Sequence, residues 1–342
     1  MVYWMKPENI PRVLIAGDWD ADGVIAAALV LYSQEKLGKY PIESKAIVDV
    51  KPLDPERIRF LFKDLRVSYD AIVLLDIPYF NRMENILKML KKHFDVGKII
   101  MFDHHISTLV YKNKLRGLVD ELYVGRDPTA KLVYDKLREK GIQVTRRLKL
   151  FVETVTYMDK GLKIPPDYVK MFEIVSLFSK ALTVLREEEI WVSLVKWLAN
   201  PLPIPIPLDN SVRKKIEEAV RKRDEELKNI ALDLAVTARK VGYIRFIDAR
   251  RIWKKRGSTA LASKIGHILK SPVAVLFSTT RDYDLLIIKA SKNRAYRIAK
   301  FLLAEGIAQD IAGHPNLAIV RIPKTISIDE LLKTLHKASL YM

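Results

Sequence analysis

The sequence predicts an α/β protein with a parallel-sheet N-terminal domain, a helical region, a connector helix and a smaller α/β C-terminal domain. In the first half, short β-branched runs such as RVLIAG (12–17) alternate with helical stretches such as VIAAALVLYSQEKLG (24–38). A run with four prolines, PLPIPIPLDN (201–210), precludes a helix and favours a stiff connector. A second αβ pattern begins at Val241.

The elements of the first half follow from hydrophobic periodicity. Strands that alternate with helices at this spacing are typical of a parallel sheet covered on both faces. The segments expected here are strands at 12–17, 45–50, 69–76 and 97–103, with helices at 24–38, 54–65 and 82–94.

Further along the chain, helical segments precede the second αβ pattern. In the segment EEEIWVSLVKWLAN (187–200), apolar residues recur at helical spacing, so Trp191 and Trp197 are expected in the core. The predicted helices are 127–141, the stretch 147–200, the charged helix 211–240 that bridges two domains, and 258–270, 294–305 and 328–340. The predicted strands are VGYIRFIDA (241–249), PVAVLFST (272–279), DLLIIKA (284–290) and NLAIVRIP (316–323).

Composition limits the classes of partner and chemistry. The 342 residues carry a formal net charge of +18, which favours a polyanionic partner, nucleic acid first and anionic membrane second. The chain has no cysteine, so disulfides, thiolate zinc sites and cysteine nucleophiles are excluded. The N-terminus lacks the apolar core of a signal peptide, and we therefore expect a cytoplasmic protein.

The segment GDWDADG (17–23) places three aspartates, Asp18, Asp20 and Asp22, on alternate positions. Carboxylates this close raise one another's pKa, and burying them unpaired costs several kcal/mol. Two interpretations follow from this segment alone, a solvated acidic loop or a cation site.

Acidic residues also follow two further predicted strands, at Asp76 and at Asp103-His104-His105. Because the carboxyl ends of neighbouring parallel strands share one edge, we expect these groups to converge, which favours the cation site. Carboxylates with one or two histidines suit manganese or magnesium. Two such ions, about 3.5–4 Å apart, can clamp a phosphoryl group.

These segments resemble the motifs of the DHH phosphoesterases. The matching residues are Asp20-Ala21-Asp22-Gly23 after the first strand, Asp76, Asp103-His104-His105, and Asp159 in VTYMDKG (155–161). The segment IAGHPNLA (311–318) is similar to the glycine-rich signature of the DHH-associated domain. Together the two halves cover most of the chain.

The resemblance implies a two-metal centre, with Mn²⁺ as the expected ion and Mg²⁺ as the alternative. Asp76 would bridge two ions, and Asp20 would bind one of them. The other ion would be completed by Asp22, His104 and Asp159. His105 would face the scissile phosphate, with Asp103 orienting the imidazoles, and hydroxide would attack phosphorus without a covalent enzyme intermediate.

Two departures from the family pattern concern binding residues. The histidine that usually precedes D-x-D is absent, and its place falls on Ala16 or Asp18. Asp18 is therefore either an oxygen ligand or a carboxylate outside the coordination shell. In the second domain, the glycine run is reduced to Gly313 before His314, and Ser291 and Lys292 stand near the family's serine-arginine phosphate contact.

The segment DARRIWKKRGS (248–258) is basic and contains Trp253. Cations bind phosphates while an aromatic face stacks on an unpaired base, so the segment is a candidate nucleic-acid surface. The alternative is a solvated basic helix anchored to the core by its tryptophan. The cations concerned are Arg250, Arg251, Lys254, Lys255 and Arg256.

The resemblance to the RecJ-like and nano-RNase branch implies a metal-dependent phosphodiesterase acting from an end of single-stranded DNA or RNA, or of short oligonucleotides, with 3′→5′ polarity expected. A helicase or replication protein is the expected partner, with no membrane partner. Two alternatives stay open: a cyclic dinucleotide phosphodiesterase, and a replication or repair scaffold. The expected domains are catalytic (1–200), linker and connector helix (201–240) and substrate-binding (241–342).

Overall fold

The protein is described from a computed structural model over residues 10–54, 58, 68–80, 82–93, 96–255, 257–279 and 282–340. The predicted helix at 54–65 lies almost entirely outside these described residues. The chain divides into two compact units between Ala219 and Val220.

The first unit is built on a five-stranded parallel sheet, which confirms the predicted α/β class. Its strands are β1 (Arg12–Gly17), β2 (Ile47–Pro52), β3 (Ala71–Leu75), β4 (Lys98–Asp103) and β5 (Glu121–Val124). Their spatial order is β2-β1-β3-β4-β5, so the order reverses between β1 and β3. In an open α/β sheet, such a switch point opens a crevice at the carboxyl ends of the strands.

Helices cover this sheet and supply most of the remaining structure of the unit. Every residue of the first helix is buried, and its alanines allow close packing against neighbouring helices. The helices are α1 (Ala21–Leu31), α2 (Met83–His93), α3 (Ile106–Leu115), α4 (Thr129–Glu139), α5 (Arg146–Asp159), α6 (Val169–Val184) and α7 (Glu188–Ala199).

Sequence periodicity overlooked two of these elements. β5 has four half-buried residues at the edge of the sheet, so its apolar signal is weak. α3 carries lysines on a weakly apolar surface. The predicted core positions of Trp191 and Trp197 are confirmed.

The connector helix is α8 (Asn210–Val236), and it ends earlier than the predicted residue 240. The chain instead enters β6 (Arg239–Val241), which forms an antiparallel hairpin with β7 (Ile244–Asp248). Gly242, at φ +57°, provides the left-handed turn between these two strands.

The second unit contains a mixed six-stranded sheet in the order β10-β11-β9-β8-β7-β6. Its strand β10 is missing from the sequence prediction because a glycine and a histidine interrupt the apolar run. The remaining elements are α9 (Ser258–Leu269), β8 (Val273–Ser278), β9 (Tyr283–Lys289), α10 (Arg294–Ala304), β10 (Asp310–His314), β11 (Leu317–Pro323) and α11 (Ile328–Leu340).

Candidate metal centre

The acidic loop after β1 owes its conformation to a helix cap. Asp20 is the N-cap of α1, and its Oδ1 accepts a hydrogen bond from the Gly23 N–H at 2.8 Å. A Cβ on Gly23 would lie 2.6 Å from the main-chain oxygen of Asp18. The D-x-D-G pattern therefore encodes a tight strand-to-helix turn at the switch point.

Asp22 lies in the first turn of α1 and is only 5% exposed. Its Oδ2 accepts a hydrogen bond from the Thr129 N–H at 2.7 Å, and its Oδ1 accepts one from the Ala130 N–H at 2.9 Å. These donors are the first N–H groups of α4, which is preceded by Pro128. Sequence reasoning did not single out either residue as part of the site, although both lie within the helix predicted at 127–141.

Asp76 follows β3 in a left-handed conformation, at φ +61°, and is 1% exposed. Its N–H donates to the main-chain oxygen of Phe102 at 2.9 Å. The Thr129 hydroxyl donates to Asp76 Oδ1 at 2.8 Å. Left-handed backbone at a non-glycine residue costs about 1–3 kcal/mol and is concentrated at functional sites.

The two histidines after β4 lie beside these carboxylates. His104 Nε2 is 3.4 Å from Asp76 Oδ1 and 3.8 Å from Asp22 Oδ2. His105 Nδ1 is 3.8 Å from Asp76 Oδ1 and 2.8 Å from Asp103 Oδ1. One ligand atom from each of Asp76, His104 and His105 falls within a span of 4.8 Å.

Asp159 reaches this cluster from the last position of α5. Its Oδ2 is 3.7 Å from His104 Nδ1, so both ring nitrogens of His104 are near carboxylates. The acids and imidazoles expected from four separate segments are thus gathered in one place.

The charges of the cluster oppose one another in the absence of a cation. Burial, followed by the charges of neighbouring aspartates, raises the pKa of Asp22 and of Asp76 well above the ordinary value. Burial and the charge of Asp20 also raise the pKa of Asp18 to about 7. A divalent ion would remove this repulsion.

His105 and Asp103, unlike the aspartates of the cluster, stabilise each other's charged forms. Burial lowers the pKa of His105, but the charge and hydrogen bond of Asp103 outweigh it and raise this pKa to about 9. Burial raises the pKa of Asp103, but the charge and the hydrogen bond of His105 lower it by more. The pKa of Asp103 therefore lies below its ordinary value. At neutral pH the metal-free site therefore contains an imidazolium held by a buried carboxylate.

The donor set fits a divalent cation that prefers oxygen and imidazole ligands. Asp22 and Asp76 are buried, repel each other and are anchored by N–H and O–H donors, whereas Asp20 and Asp159 border the cluster from exposed positions. Bound ions would therefore relieve the repulsion of the buried pair. The ligand atoms of Asp76, His104 and His105 are close enough to share an ion. Asp22 and Asp159 lie within 3.8 Å of His104, and Asp20 stands in the same loop as Asp22, so these side chains could complete an ion's shell.

In the second unit, the predicted binding residues fall at two ends of the sheet. Ser291 and Lys292 follow the carboxyl end of β9, and His314 ends β10 at the same side of the sheet. The segment 248–258 follows the carboxyl end of β7, beside Asp284 at the start of β9. These two groups therefore do not form one continuous surface across this sheet.

The basic segment 248–258 differs in part from its prediction. Trp253 is 3% exposed and belongs to the core of the second unit, so its ring is not available to stack on a base. Arg250 is paired with Asp248 and Asp284, and Lys255 with Glu226. Arg251 and Lys254 are exposed, whereas Arg256 lies outside the described residues.

Gly313 has a local structural role in the β10–β11 hairpin. Its φ is +103°, and a Cβ there would lie 2.3 Å from the main-chain oxygen of Leu317. His314 follows directly and is exposed.

Solved structures with the same fold are DHH-domain proteins. A DHH-domain protein described as a member of the s1p family of ribosomal proteins matches 97% of this chain and 87% of its own, with a TM-score of 0.60 and 17% identity. RecJ from Thermus thermophilus in complex with Mn²⁺ matches 97% of this chain and 52% of its own, with a TM-score of 0.61 and 14% identity. PggH, a pGpG-specific phosphodiesterase from Vibrio cholerae, matches 97% of this chain and 99% of its own, with a TM-score of 0.52 and 12% identity.

The resemblance to DHH proteins is thereby confirmed at the level of the fold. This chain spans about half the length of the Thermus RecJ chain. No protein-family model and no curated protein sequence matches it. Among the described residues, no helix has the length and apolar character needed to cross a membrane.

Proposed function

We propose that this protein is a divalent-metal-dependent phosphodiesterase that hydrolyses single-stranded DNA or RNA, or short oligonucleotides, from an end. One observation carries the proposal: carboxylates and imidazoles from three strand ends meet at the switch point of a DHH-type sheet. Asp159 of α5 reaches the same cluster.

The ions would be held by Asp20, Asp22, Asp76, His104 and Asp159, with Mn²⁺ as the proposed metal and Mg²⁺ as the alternative. When bound, two divalent ions polarise the phosphoryl oxygens and make water nucleophilic at neutral pH. The match to RecJ structures that contain Mn²⁺ or Mg²⁺ supports this choice of ions.

The chain's own residues would position and stabilise the reacting phosphodiester. His105 Nδ1 lies 2.8 Å from Asp103 Oδ1, and the imidazole oriented in this way would face the scissile phosphate and donate to its oxygen as negative charge develops there. Asp76 is held by Thr129, and Asp22 by the N-terminus of α4, so these carboxylates keep one geometry. We assign substrate contacts in the second unit to His314, Ser291 and Lys292.

The nucleic-acid substrate is supported by charge. A net charge of +18 suits a polyanion far larger than a single phosphate. The similar structures include the exonuclease RecJ and the pGpG-specific phosphodiesterase PggH, and both favour the same substrate class. We propose 3′→5′ polarity and a cytoplasmic helicase or replication protein as partner.

A dinucleotide substrate is the second candidate. PggH, whose chain is matched over 99% of its length, is specific for pGpG. Hydrolysis of cyclic di-AMP or of a linear dinucleotide would use the same metal centre.

The test uses oligonucleotides labelled at one end or the other, in DNA and RNA form, with Mn²⁺, Mg²⁺ or EDTA. Asp76→Asn is the matched variant, because asparagine tolerates the left-handed backbone of this position better than alanine. Stepwise shortening by the wild type and its loss in the variant would support the exonuclease. Strand binding without cleavage under either metal would instead favour a scaffold, and cleavage of cyclic di-AMP or pGpG alone would favour the dinucleotide enzyme.

A further inference from the structure

An aromatic side chain lies inside the metal-binding loop and is not explained by metal binding. Trp19 stands between Asp18 and Asp20, and it remains partly exposed. Trp191, which also contacts this loop and donates to the Asp18 main-chain oxygen at 2.9 Å, is fully buried. The core thus uses one tryptophan at this loop and leaves the other at the surface.

Arg186 lies against the Trp19 ring. Its Cζ is 5.1 Å from the ring centroid, and its guanidinium is paired with Asp54. Arg186 belongs to the connection between α6 and α7 and has a left-handed backbone at φ +49°. A non-glycine residue keeps this backbone only where its surroundings hold it. The ion pair with Asp54 holds the guanidinium beside the indole.

The Trp19–Arg186–Asp54 cluster adjoins the metal centre. Consecutive Cα atoms are about 3.8 Å apart, so Trp19 is within one residue of two acidic side chains of the loop. Asp54 is also close enough for its charge to act on Asp18. The Arg186 side chain stays 28% exposed, which leaves part of the cation accessible to solvent.

This combination is suited to binding one nucleotide. A flat indole and a planar guanidinium both stack on nucleobases without strong sequence preference, and the guanidinium also attracts phosphate. Because Arg186 shares its charge with Asp54, what the guanidinium adds beside the carboxylates of the loop is a planar surface with N–H donors for a base or a phosphate oxygen.

We propose that Trp19 and Arg186 form a platform on which the nucleobase next to the scissile phosphate stacks, with Asp54 holding the arginine in place. This inference rests on the proposed function, because it assumes a nucleic-acid strand at the metal centre. The competing explanation is that the cluster only fastens the loop.

The test measures binding, so that it remains valid if hydrolysis is absent. Dissociation constants of fluorescein-labelled pentanucleotides are measured by anisotropy with Ca²⁺ in place of Mn²⁺. The oligonucleotides are either complete or abasic at the terminal or the penultimate position. The proteins are wild type, Trp19→Ala, Trp19→Phe and Arg186→Gln, with Phe172→Ala as a control for losing an exposed aromatic side chain elsewhere in the first unit.

We expect Trp19→Ala to weaken binding of the complete strand by about tenfold, within the range for loss of one stacked base. Trp19→Phe should retain most of the affinity, and Arg186→Gln should weaken binding and reduce its salt dependence. Removing the base at one of the two positions should weaken binding by the wild type but leave binding by Trp19→Ala unchanged. The two proteins should therefore bind that abasic strand with the same affinity.

Equal losses for complete and abasic strands would overturn the platform and indicate loop fastening, as would a Trp19→Ala affinity equal to that of Phe172→Ala. Melting temperature and Mn²⁺ affinity of each variant separate these results from misfolding. If no substrate is cleaved but the affinities converge on the abasic strand, the hydrolase fails and the platform stands.

Discussion

The Thr129 hydroxyl donates a 2.8 Å hydrogen bond to Asp76 Oδ1, joining the N-terminus of α4 to the acidic residue at the end of β3. The two residues are 53 positions apart in the chain, and both are buried. Thr129 therefore fixes the central carboxylate of the candidate metal centre.

Replacing Thr129 by valine keeps the shape of the side chain but removes this donor. We expect Mn²⁺ affinity to fall about tenfold or more, since partners that orient metal ligands contribute on this scale. The metal-free protein should lose about 1–3 kcal/mol of unfolding free energy from the unsatisfied carboxylate. Calorimetric titration measures the Mn²⁺ affinity. Thr129→Ser keeps the hydroxyl donor and should bind Mn²⁺ like the wild type. An unchanged Mn²⁺ affinity in Thr129→Val would contradict the role of Thr129.

The metal-free protein should become less stable as pH rises from about 5 to about 8. The raised pKa values of Asp18, about 7, and of Asp22 and Asp76 mean that the folded state binds more protons than the unfolded state. This contribution is complete below the unfolded pKa and is lost as pH passes the folded values. The lowered pKa of His104 acts in the opposite direction but concerns a single group.

Melting curves in EDTA across this pH range check the sign. Saturating Mn²⁺ should raise the melting temperature more at pH 8 than at pH 5, because it binds the deprotonated ligands. A metal-free melting temperature that climbs towards pH 8 would contradict this account of the cluster.

Asp76→Asn should separate metal binding from folding. The variant removes one charge from a crowded buried cluster, so the metal-free protein should be at least as stable as the wild type. It should lose most of the stabilisation that Mn²⁺ provides, about 2.7 kcal/mol at one hundred times Kd, together with hydrolysis. Thermal melting with and without Mn²⁺ measures both, and an unchanged Mn²⁺-induced shift would exclude Asp76 as a ligand.

Gly23→Ala should destabilise the loop that carries Asp20 and Asp22. The added Cβ would meet the Asp18 backbone at 2.6 Å, and backbone atoms cannot yield as a flexible side chain can. We expect a loss of about 2 kcal/mol or more in denaturant unfolding, within the range for overpacking. Gly266→Ala, in α9, is the matched control and should be neutral or stabilising by up to about 1 kcal/mol.

Alanine substitution should lower the free energy of unfolding strongly at Trp253 and hardly at all at its exposed basic neighbours. Trp253→Ala removes a core side chain of the second unit and should cost about 3–5 kcal/mol of unfolding free energy. Substituting the exposed Arg251 and Lys254 by alanine should change stability by no more than about 0.5 kcal/mol per residue. A small cost for Trp253→Ala in denaturant unfolding would contradict its assignment to the core.

Local pattern was sufficient for most strands and helices and for the choice of acidic residues. The alternation of apolar runs placed β1, β3 and β4 within two residues of their observed bounds, because burial on both faces leaves a continuous β-branched signal. The edge strands β5 and β10 escaped detection, since half-buried or glycine-interrupted strands have no such signal.

The DHH motifs could be read from the chain alone, because each is a short run of residues with its own local geometry. These runs contain Asp20, Asp22, Asp76 and His104. Three-dimensional packing was needed to show that β1 lies beside β3, that Thr129 reaches Asp76, and that Arg186 covers Trp19. It also assigned Trp253 to the core and placed its basic segment away from His314. Such contacts join residues far apart in the chain, and periodicity, which reports the burial of a segment, does not identify the partner it packs against.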